Sequence, residues 1–332
     1  MGKKISVIII GAGQIGQTHA ESFKALSDDC VVSTVIDTDE ARGRQLAQKV
    51  GASFESDYRK ALETRPDLAV IALPHKLHKE VGIAVAEAGV NMLMEKPIAN
   101  SMEDALLVVD SCRRNSVFMG VSFAHRYRIE YQEAKKLIDG GFAGDLSTIS
   151  DVFTTNGGSH VPGWVWKKEL SGGGIMMYSG IHSIDWQCWL MDSGITEVFA
   201  NGLAYDRNSD VESEINAMYQ FANGCTGTII GRQPPYLVTA RTRDTEVIGT
   251  KGRLRIKMGE FVDGSSEHQS FTWTTERDAP FISQASELIK AVKEKREPWI
   301  NHRDGLRAQA IIEALYKSIG SHKPEKVIYP EI

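Results

Sequence analysis

The sequence predicts an α/β protein whose N-terminal part is a doubly wound parallel sheet and whose C-terminal part is an α+β domain. From Lys4 to about Ser122, short runs rich in Val and Ile alternate with longer amphipathic segments. After about Asp145, longer strand candidates follow one another with turn signals between them. At 332 residues the chain is long enough for two domains of ordinary size. We expect them to span residues 1–123 and 124–332.

The strand candidates of the first part show little polar alternation, which is typical of strands buried on both faces of a parallel sheet. They are ISVIII, VVSTVID, LAVIAL, VNMLME and VFMGVSF. The helix candidates between them include HAESFKAL, EARGRQLAQKV and KEVGIAVAEAG. Repeated strand-helix-strand units need right-handed crossovers, and these build an open, doubly wound sheet.

The second part is predicted to be a mostly antiparallel sheet with a few helices. Its strand candidates are LSTISDVFTT, TEVFANGLAY, INAMYQFANG, CTGTIIGR, DTEVIGTKGRLRIKM and HQSFTWTTE. Asn223-Gly224 and Lys251-Gly252 are typical of hairpin turns. A last helix is expected at about 303–319, and it is a candidate to pack back toward the N-terminal domain.

Composition favours a cytoplasmic globular protein. A net charge of −5 argues against a general nucleic-acid surface. No apolar stretch is long enough to span a bilayer, and the N-terminal run ISVIII is interpreted as a strand rather than a signal peptide. The four cysteines form no C-x-x-C pair, which suits a reducing compartment.

A glycine-rich turn predicts a dinucleotide site at the N-terminus. Gly11, Gly13 and Gly16, with Gln14 and Ile15 between them, match G-x-G-x-x-G between a strand and a helix. The first glycine permits the turn, the second the approach of a pyrophosphate, and the third close packing of helix on strand. These features are typical of a Rossmann domain.

Asp37 ends the second strand about twenty residues later, where an acidic residue would bind the ribose hydroxyls. A turn-capping role within IDTDE is the alternative. A carboxylate at this position favours NAD over NADP, although Arg42 and Arg44 follow closely and could soften that preference.

Two further strand ends supply polar residues to the same carboxyl edge. One is PHKLH, with Pro74, His75 and His78; the other is EKP, with Glu95 and Lys96. A metal pair at the two histidines is disfavoured, because no third ligand lies nearby in sequence. Because the next residue is proline, Lys96 is expected to be extended at the edge where parallel sheets bind ligands. Pro74, His78, Glu95 and Lys96 are therefore predicted to contact the cofactor.

Taken together, these motifs resemble those of the glucose-fructose oxidoreductase / inositol dehydrogenase / rhizopine catabolism (Gfo/Idh/MocA) family. The matching segments are GAGQIG, the EKP triplet, AHRYR at 124–128, VPGW at 161–164, the GGG...H..D segment and DGLRAQAIIEALYKS. The resemblance covers nearly the whole chain. It implies a Rossmann domain followed by an α+β domain with a large open sheet, which often builds dimers or tetramers. It also implies NAD-dependent oxidation or reduction of a secondary alcohol of a sugar or cyclitol.

The resemblance assigns roles to four residues. Lys96 looks like the lysine that binds the reacting oxygen, and His182 resembles the general base. Asp185 stands where similar inositol dehydrogenases have an aspartate in the same pocket. Tyr178 is a departure, because family members commonly have an aspartate four residues before the histidine.

If the segment after Gly172–Gly174 is helical, Tyr178, His182 and Asp185 lie on one face at i, i+4 and i+7. The glycines would let this helix approach the cofactor. Hydride can leave a carbinol only as its hydroxyl proton departs, so a base is needed, and histidine suits neutral pH. A lysine cation would stabilise the alkoxide, and Asp185 could fix the tautomer of the imidazole.

Tyr178 has two interpretations. It fills the space of the usual aspartate and offers a hydroxyl to the sugar, or its phenol, with a pKa lowered beside Lys96, itself carries the proton. Trp164, Asn156 and Arg126 are further candidates for binding the substrate. Arg126 is also a candidate for cofactor contact, and Trp166 is expected in the core.

Three functions remain open at this point. The first is an NAD-dependent dehydrogenase of a sugar, glycoside or cyclitol. The second is a glycosidase that oxidises its substrate transiently with bound NAD. The third is a non-catalytic regulator, because a transcription co-repressor of the galactose pathway has a similar fold; Lys96 and His182 argue against it.

Overall fold

The structure, a computed structural model, describes residues 3–157, 161–205, 209–236, 241–275 and 279–331. Contacts divide the chain into two compact units. Unit 1 contains residues 1–124 and 279–306, and unit 2 contains residues 125–278 and 307–332. Each unit consists of two separate stretches of sequence.

The sheet of unit 1 has six strands in the order β3-β2-β1-β4-β5-β6, and every pairing is parallel. Its strands are β1 (Ile5–Ile10), β2 (Cys30–Ile36), β3 (Ser53–Glu55), β4 (Leu68–Ile71), β5 (Asn91–Met94) and β6 (Met119–Val121). The predicted doubly wound parallel sheet is thereby confirmed. The short β3 was not among the strand candidates, because three residues of SFE give too little pattern to detect.

Helices cover this sheet, and the strands between them are almost wholly buried. The helices are α1 (Gln14–Lys24), α2 (Glu40–Val50), α3 (Tyr58–Glu63), α4 (His78–Glu87), α5 (Met102–Arg114) and α9 (Pro280–Glu294). The late helix α9 contacts α1 and β1, and its Leu288 and Ile289 belong to the same core cluster as Val7 and Ile9. Residues 279–306 therefore complete the core of unit 1.

The sheet of unit 2 has nine strands in the order β14-β13-β12-β11-β7-β10-β9-β8-β15. They are β7 (Leu146–Thr154), β8 (Ile195–Leu203), β9 (Glu214–Phe221), β10 (Thr226–Arg232), β11 (Thr242–Gly249), β12 (Gly252–Lys257), β13 (Phe261–Ser266), β14 (Ser270–Thr274) and β15 (Glu325–Lys326). Only the pairing of β7 with β10 is parallel among these described strands. The predicted large, mostly antiparallel sheet is confirmed, and both predicted hairpin turns join adjacent antiparallel strands.

The helices of unit 2 are α6 (Ile129–Asp139), α7 (Lys168–Ser171), α8 (Ile181–Leu190) and most of α10 (His302–Ser321), which begins in unit 1. A π-helical turn, Met176–Gly180, leads directly into α8. Along β7 and β9, buried and more exposed residues alternate. One face of the sheet is therefore packed and the other is open.

Candidate active site

The glycine turn of unit 1 has the shape that the motif predicts. Gly11 has φ +106°, and a Cβ atom there would lie 2.2 Å from the carbonyl oxygen of Ala72. A Cβ on Gly16 would lie 1.9 Å from the carbonyl oxygen of Gly11. Around Gly13, by contrast, no described atom lies within 4 Å of the corresponding position. Close packing therefore requires glycine at positions 11 and 16, whereas Gly13 leaves open space at the start of α1. The next two residues are Gln14, which is exposed, and Ile15, which is half-buried.

The space beside Gly13 fits the pyrophosphate of a dinucleotide. Gly13 caps α1 without a side chain, so the first backbone N–H groups of the helix, with the positive end of its dipole, are directed into that space.

Asp37 is buried at the end of β2 and is held in place by four donors. Its Oδ2 accepts hydrogen bonds from the Ala12 N–H at 2.7 Å and from Arg42 Nε at 3.1 Å. Its Oδ1 accepts from the Asp39 N–H at 2.8 Å and from Arg42 Nη2 at 2.8 Å. Burial raises the pKa of Asp37, but the hydrogen bonds from Arg42 and the two amides outweigh it and hold this pKa below its ordinary value. Asp37 is thus a fixed anion beside the glycine turn, as a ribose-binding carboxylate must be.

His78 is fully buried at the start of α4, between the loops that follow β4 and β5. Its Nδ1 lies 2.8 Å from the carbonyl oxygen of Pro97, and its Nε2 lies 2.9 Å from that of Leu73. Carbonyl oxygens only accept hydrogen bonds, so the pair favours a ring protonated on both nitrogens. Burial acts the other way and lowers the pKa of His78. With both nitrogens engaged by the backbone, His78 links the loop containing Pro74 to the loop containing Lys96.

Glu95 and Lys96 leave the carboxyl end of β5 in different environments. Glu95 is 6% exposed, and its Oε1 accepts a hydrogen bond of 2.7 Å from His19 Nε2 on α1. Burial raises the pKa of Glu95, but the hydrogen bond and charge of His19 hold it below its ordinary value. Lys96, in contrast, is half-buried at the sheet edge. The carboxylate therefore supports the loop, and the ammonium group lies at the edge where open parallel sheets bind ligands.

In unit 2, His182 and Tyr178 lie on the segment that runs from the π-helical turn into α8. Both are half-buried, whereas Asp185, predicted on the same face, is only 3% exposed. The aromatic rings of Tyr178 and Trp164 meet edge to face, with centroids 6.3 Å apart. This part of the chain therefore brings together three of the residues predicted to bind substrate.

Asp185 forms a buried ion pair with Arg126. Arg126 Nε donates to Asp185 Oδ2 at 2.7 Å, and Arg126 Nη2 donates to Asp185 Oδ1. The side chains are only 4% and 1% exposed. Arg126 was predicted to contact cofactor or substrate, and Asp185 to orient the imidazole. The two-point contact ties the start of unit 2 to α8, and the predicted roles of both residues stay predictions.

His125, which the sequence analysis did not select, packs against the predicted base. Its ring is stacked on that of His182 with centroids 4.3 Å apart and 14° between the planes. His125 is also stacked on Trp186, with ring centroids 5.4 Å apart. The AHRYR motif was the available signal, but only its arginine was chosen.

A buried polar network lies beneath this stack. Asp151 on β7 accepts hydrogen bonds from Ser183 Oγ at 2.5 Å and from Thr245 Oγ1 at 2.8 Å, and burial raises its pKa. The guanidinium carbon of Arg243 lies 4.0 Å from the ring centroid of Phe153 and 4.7 Å from that of Trp186. Burial also lowers the pKa of Arg243. The network fixes Trp186, on which His125 rests.

Asn156, a predicted substrate contact, lies just beyond β7. It is half-buried, and its backbone carbonyl accepts a hydrogen bond of 3.0 Å from Gln233 Nε2. Trp166, expected in the core, is also half-buried. Among the described residues, no group of three or more His, Cys, Asp or Glu side chains is arranged to hold a metal ion. None of the described helices has both the length and the apolar character needed to cross a membrane.

Comparison with known proteins identifies the class that this fold and glycine turn define. Residues 5–123 match the family model described as the oxidoreductase family, NAD-binding Rossmann fold, and residues 131–255 match the GFO/IDH/MocA C-terminal domain. The chain belongs to the Gfo/Idh/MocA family of oxidoreductases, and its cofactor is NAD. The family resemblance noted from the sequence motifs is thereby confirmed.

Similar proteins span almost the whole chain. Myo-inositol 2-dehydrogenase of Thermotoga maritima is 24% identical, with coverage of 96% of this chain and 97% of that protein. The NAD-dependent scyllo-inositol 2-dehydrogenase of Bacillus subtilis is 25% identical over 85% of this chain and 80% of its own length. A structure of levoglucosan dehydrogenase with NADH and levoglucosan superimposes with a TM-score of 0.89 at 21% identity, covering 99% of this chain and all (100%) of that one.

Proposed function

We propose that this NAD-dependent oxidoreductase transfers hydride between nicotinamide and a secondary alcohol or ketone of a sugar, glycoside or cyclitol. The main support is the pattern of exposure along residues 175–190. Only Tyr178, Ser179, His182 and Trp189 are partly exposed there, and every other residue is buried. The oxidation of an alcohol needs a group that accepts the hydroxyl proton, and the partly exposed His182 imidazole on this buried helix is such a group. The names of the relatives, two inositol dehydrogenases and a levoglucosan dehydrogenase, point to the same class of substrate.

In this proposal His182 accepts the proton of the substrate hydroxyl, and Lys96 stabilises the developing alkoxide with its charge. Bound NAD supplies the hydride acceptor. Tyr178 and Trp164 contact the sugar, and the Tyr178 hydroxyl is either a ligand of the substrate or a second proton carrier.

Cofactor binding is proposed for the glycine turn and for Asp37. Gly11, Gly13 and Gly16 shape the space at the start of α1, and Asp37 accepts the ribose hydroxyls. His78 and Glu95 act indirectly, because their polar atoms already engage Pro97, Leu73 and His19.

The experiment is a screen of sugars, glycosides and inositols with NAD and with NADP, read by nicotinamide absorbance. On the best substrate, His182→Ala and Lys96→Met are each expected to lower kcat by about 10²–10⁴-fold, the usual contribution of an acid-base group. The matched control is His268→Ala, which changes an exposed histidine of unit 2. Binding of NAD without reduction by any member of the panel would contradict the proposal. Release of an aglycone without net formation of NADH would instead support a glycosidase that oxidises its substrate transiently with bound NAD.

We also propose that the open face of the sheet in unit 2 joins two copies of this chain. Met218, Phe199 and Val152 are 62%, 38% and 39% exposed. Phe199 lies directly opposite Met218 in the register of β8 and β9. Exposed apolar residues grouped on one face are typical of a surface that is covered in an assembly.

A cytoplasmic location is proposed on the state of the thiols. Burial raises the pKa of Cys30 to about 11 and that of Cys112 to about 12. All four cysteines are buried free thiols, which suits a reducing compartment.

A further inference from the structure

The helix that contains Tyr178 and His182 begins with an unusual set of acceptors. The first backbone N–H groups of a helix have no partner within the helix. Here the Gly174 N–H donates to Glu212 Oε2 at 2.9 Å and the Met176 N–H donates to Glu212 Oε1 at 2.9 Å. The Ile175 N–H donates to the backbone carbonyl of Glu212 at 3.0 Å. One residue, distant in sequence, therefore accepts three of these hydrogen bonds.

Tyr316 on α10 completes the set. Its hydroxyl donates to Glu212 Oε1 at 2.9 Å and accepts a hydrogen bond of 3.3 Å from the Met177 N–H. Four consecutive amides, from Gly174 to Met177, are thereby bound by two side chains and one carbonyl. The next residue along the chain is Tyr178.

Close contacts with Glu212 and Tyr316 explain why Gly173 and Gly174 are glycines. A Cβ atom on Gly174 would lie 1.8 Å from the carbonyl oxygen of Glu212, and one on Gly173 would lie 2.1 Å from the Tyr316 hydroxyl. No other residue type leaves room for these contacts. From the sequence, the glycines were expected to permit approach to the cofactor. Within unit 2 they permit the approach of Glu212 and Tyr316.

We propose that Glu212 and Tyr316 are positioning residues, which fix the rotation and height of the helix start and thereby place Tyr178 and His182 for catalysis. This inference rests on the proposed function of those two residues. A carboxylate suits the task because both of its oxygens accept hydrogen bonds. Burial raises the pKa of Glu212, and the hydrogen bonds from the amides and from the Tyr316 hydroxyl oppose that effect. A glutamine at position 212 would instead place its NH₂ group, which is a donor, against one of the backbone N–H groups.

The chain contains a matched control for both substitutions. Tyr205 donates a hydrogen bond to Glu214 near the surface of unit 2, so Glu214→Gln and Tyr205→Phe remove the same groups from a tyrosine–glutamate pair elsewhere. The test variants are Glu212→Gln and Tyr316→Phe. Thermal unfolding identifies any variant that fails to fold, and Tyr316→Phe, which leaves the carboxylate in place, then remains as the decisive variant.

Three measurements decide the proposal. Hydrogen exchange of the amides of residues 174–177 should accelerate at least about tenfold in the test variants. In turnover, kcat should fall by about 10–10²-fold, as expected for a misplaced catalytic group, while the Kd for NAD stays unchanged. The NMR signal of the His182 ring should also shift. The control variants should change none of these quantities.

Faster exchange with unchanged kcat would overturn the proposal, as would unchanged exchange. If the wild-type protein oxidises no member of the panel, the proposed function fails. The positioning role is then tested by comparing the NMR signal of the His182 ring between wild type and the two test variants. An unchanged His182 signal in Glu212→Gln and Tyr316→Phe would show that the contacts only stabilise the fold.

Discussion

The imidazole of His125 lies parallel to that of His182, with the ring centroids 4.3 Å apart and 14° between the planes. Two rings packed this closely restrict each other's rotation. The stack therefore fixes the direction in which the imidazole of His182, the predicted base, is presented.

Replacing His125 with Ala removes the ring that packs on His182 and should therefore lower kcat by about 10-fold, because a misplaced catalytic group slows turnover. The measurement is kcat with the best substrate, and the Kd for NAD should stay unchanged. His268→Ala, an exposed replacement, should leave kcat unchanged. An unchanged kcat in His125→Ala would show that the stack does not orient the base.

The buried pair of Arg126 and Asp185 predicts a large loss of stability on breaking it. Arg126→Met leaves the Asp185 carboxylate buried without its two-point partner, which should lower the free energy of unfolding by about 3–5 kcal/mol. The measurement is urea unfolding followed by circular dichroism. The double variant Arg126→Met/Asp185→Leu should recover most of this loss, because it removes both charges. A double variant as unstable as the single one would assign the effect to packing.

The contacts of Asp37 predict a change of cofactor preference. Asp37→Ser removes the carboxylate that would repel a 2′-phosphate and releases the Arg42 guanidinium. The ratio of kcat/KM for NAD to that for NADP should fall by at least about tenfold, equivalent to about 1.4 kcal/mol. Glu40→Ser, at an exposed site paired with Arg44, is the control. An unchanged ratio would mean that Asp37 does not face the ribose.

The lowered pKa of Glu95 predicts that part of the free energy of unfolding is lost at acidic pH. Because its pKa in the folded chain lies below the ordinary value of 4.5, the unfolded chain takes up a proton first as the pH falls. The stabilisation is therefore complete above about pH 5 and is lost as the pH falls from about 4.5 through the folded pKa. The difference in urea midpoint between wild type and Glu95→Gln should be largest at pH 7 and should shrink at pH 4 and below. Glu87→Gln, at the exposed end of α4, should show no such trend.

If the open face of the sheet in unit 2 joins two copies of the chain, one charged residue on that face should disrupt the dimer. Met218→Glu places a carboxylate opposite Phe199, and burying it in an interface would cost several kcal/mol. Light scattering after size exclusion should show a smaller particle than for wild type. Gln48→Glu adds the same charge to an exposed position of unit 1 and should not alter the mass. An assembly that survives Met218→Glu would place the interface elsewhere.

Local patterns were sufficient to predict much of the fold and several candidate residues. The strands of unit 1 are unbroken runs such as Ile5–Ile10, and the glycine turn with Asp37 has a fixed spacing, so both can be read within a few dozen residues. His182 and Tyr178 were likewise selected as candidates from a short segment, and their roles stay predictions.

The missed features depend on contacts between distant parts of the chain. Glu212 binds the Gly174 N–H across 38 positions of sequence, and Tyr316 binds the Met177 N–H across 139. Nothing in the sequence around either residue marks it as a partner of a helix start. The pairing of Arg126 with Asp185 spans 59 residues. In the same way, α9 has an ordinary amphipathic pattern that does not reveal its packing against α1.

The interleaving of the two units in sequence has a consequence for synthesis. The core of unit 1 includes Leu288 and Ile289, so it cannot be completed until the ribosome has made most of the chain. Until then its six-stranded sheet lacks a covering helix, and unit 2 still lacks its own C-terminal segment. Neither unit can be cut out as one continuous fragment, and truncation after residue 278 should yield an aggregation-prone product rather than a free nucleotide-binding domain.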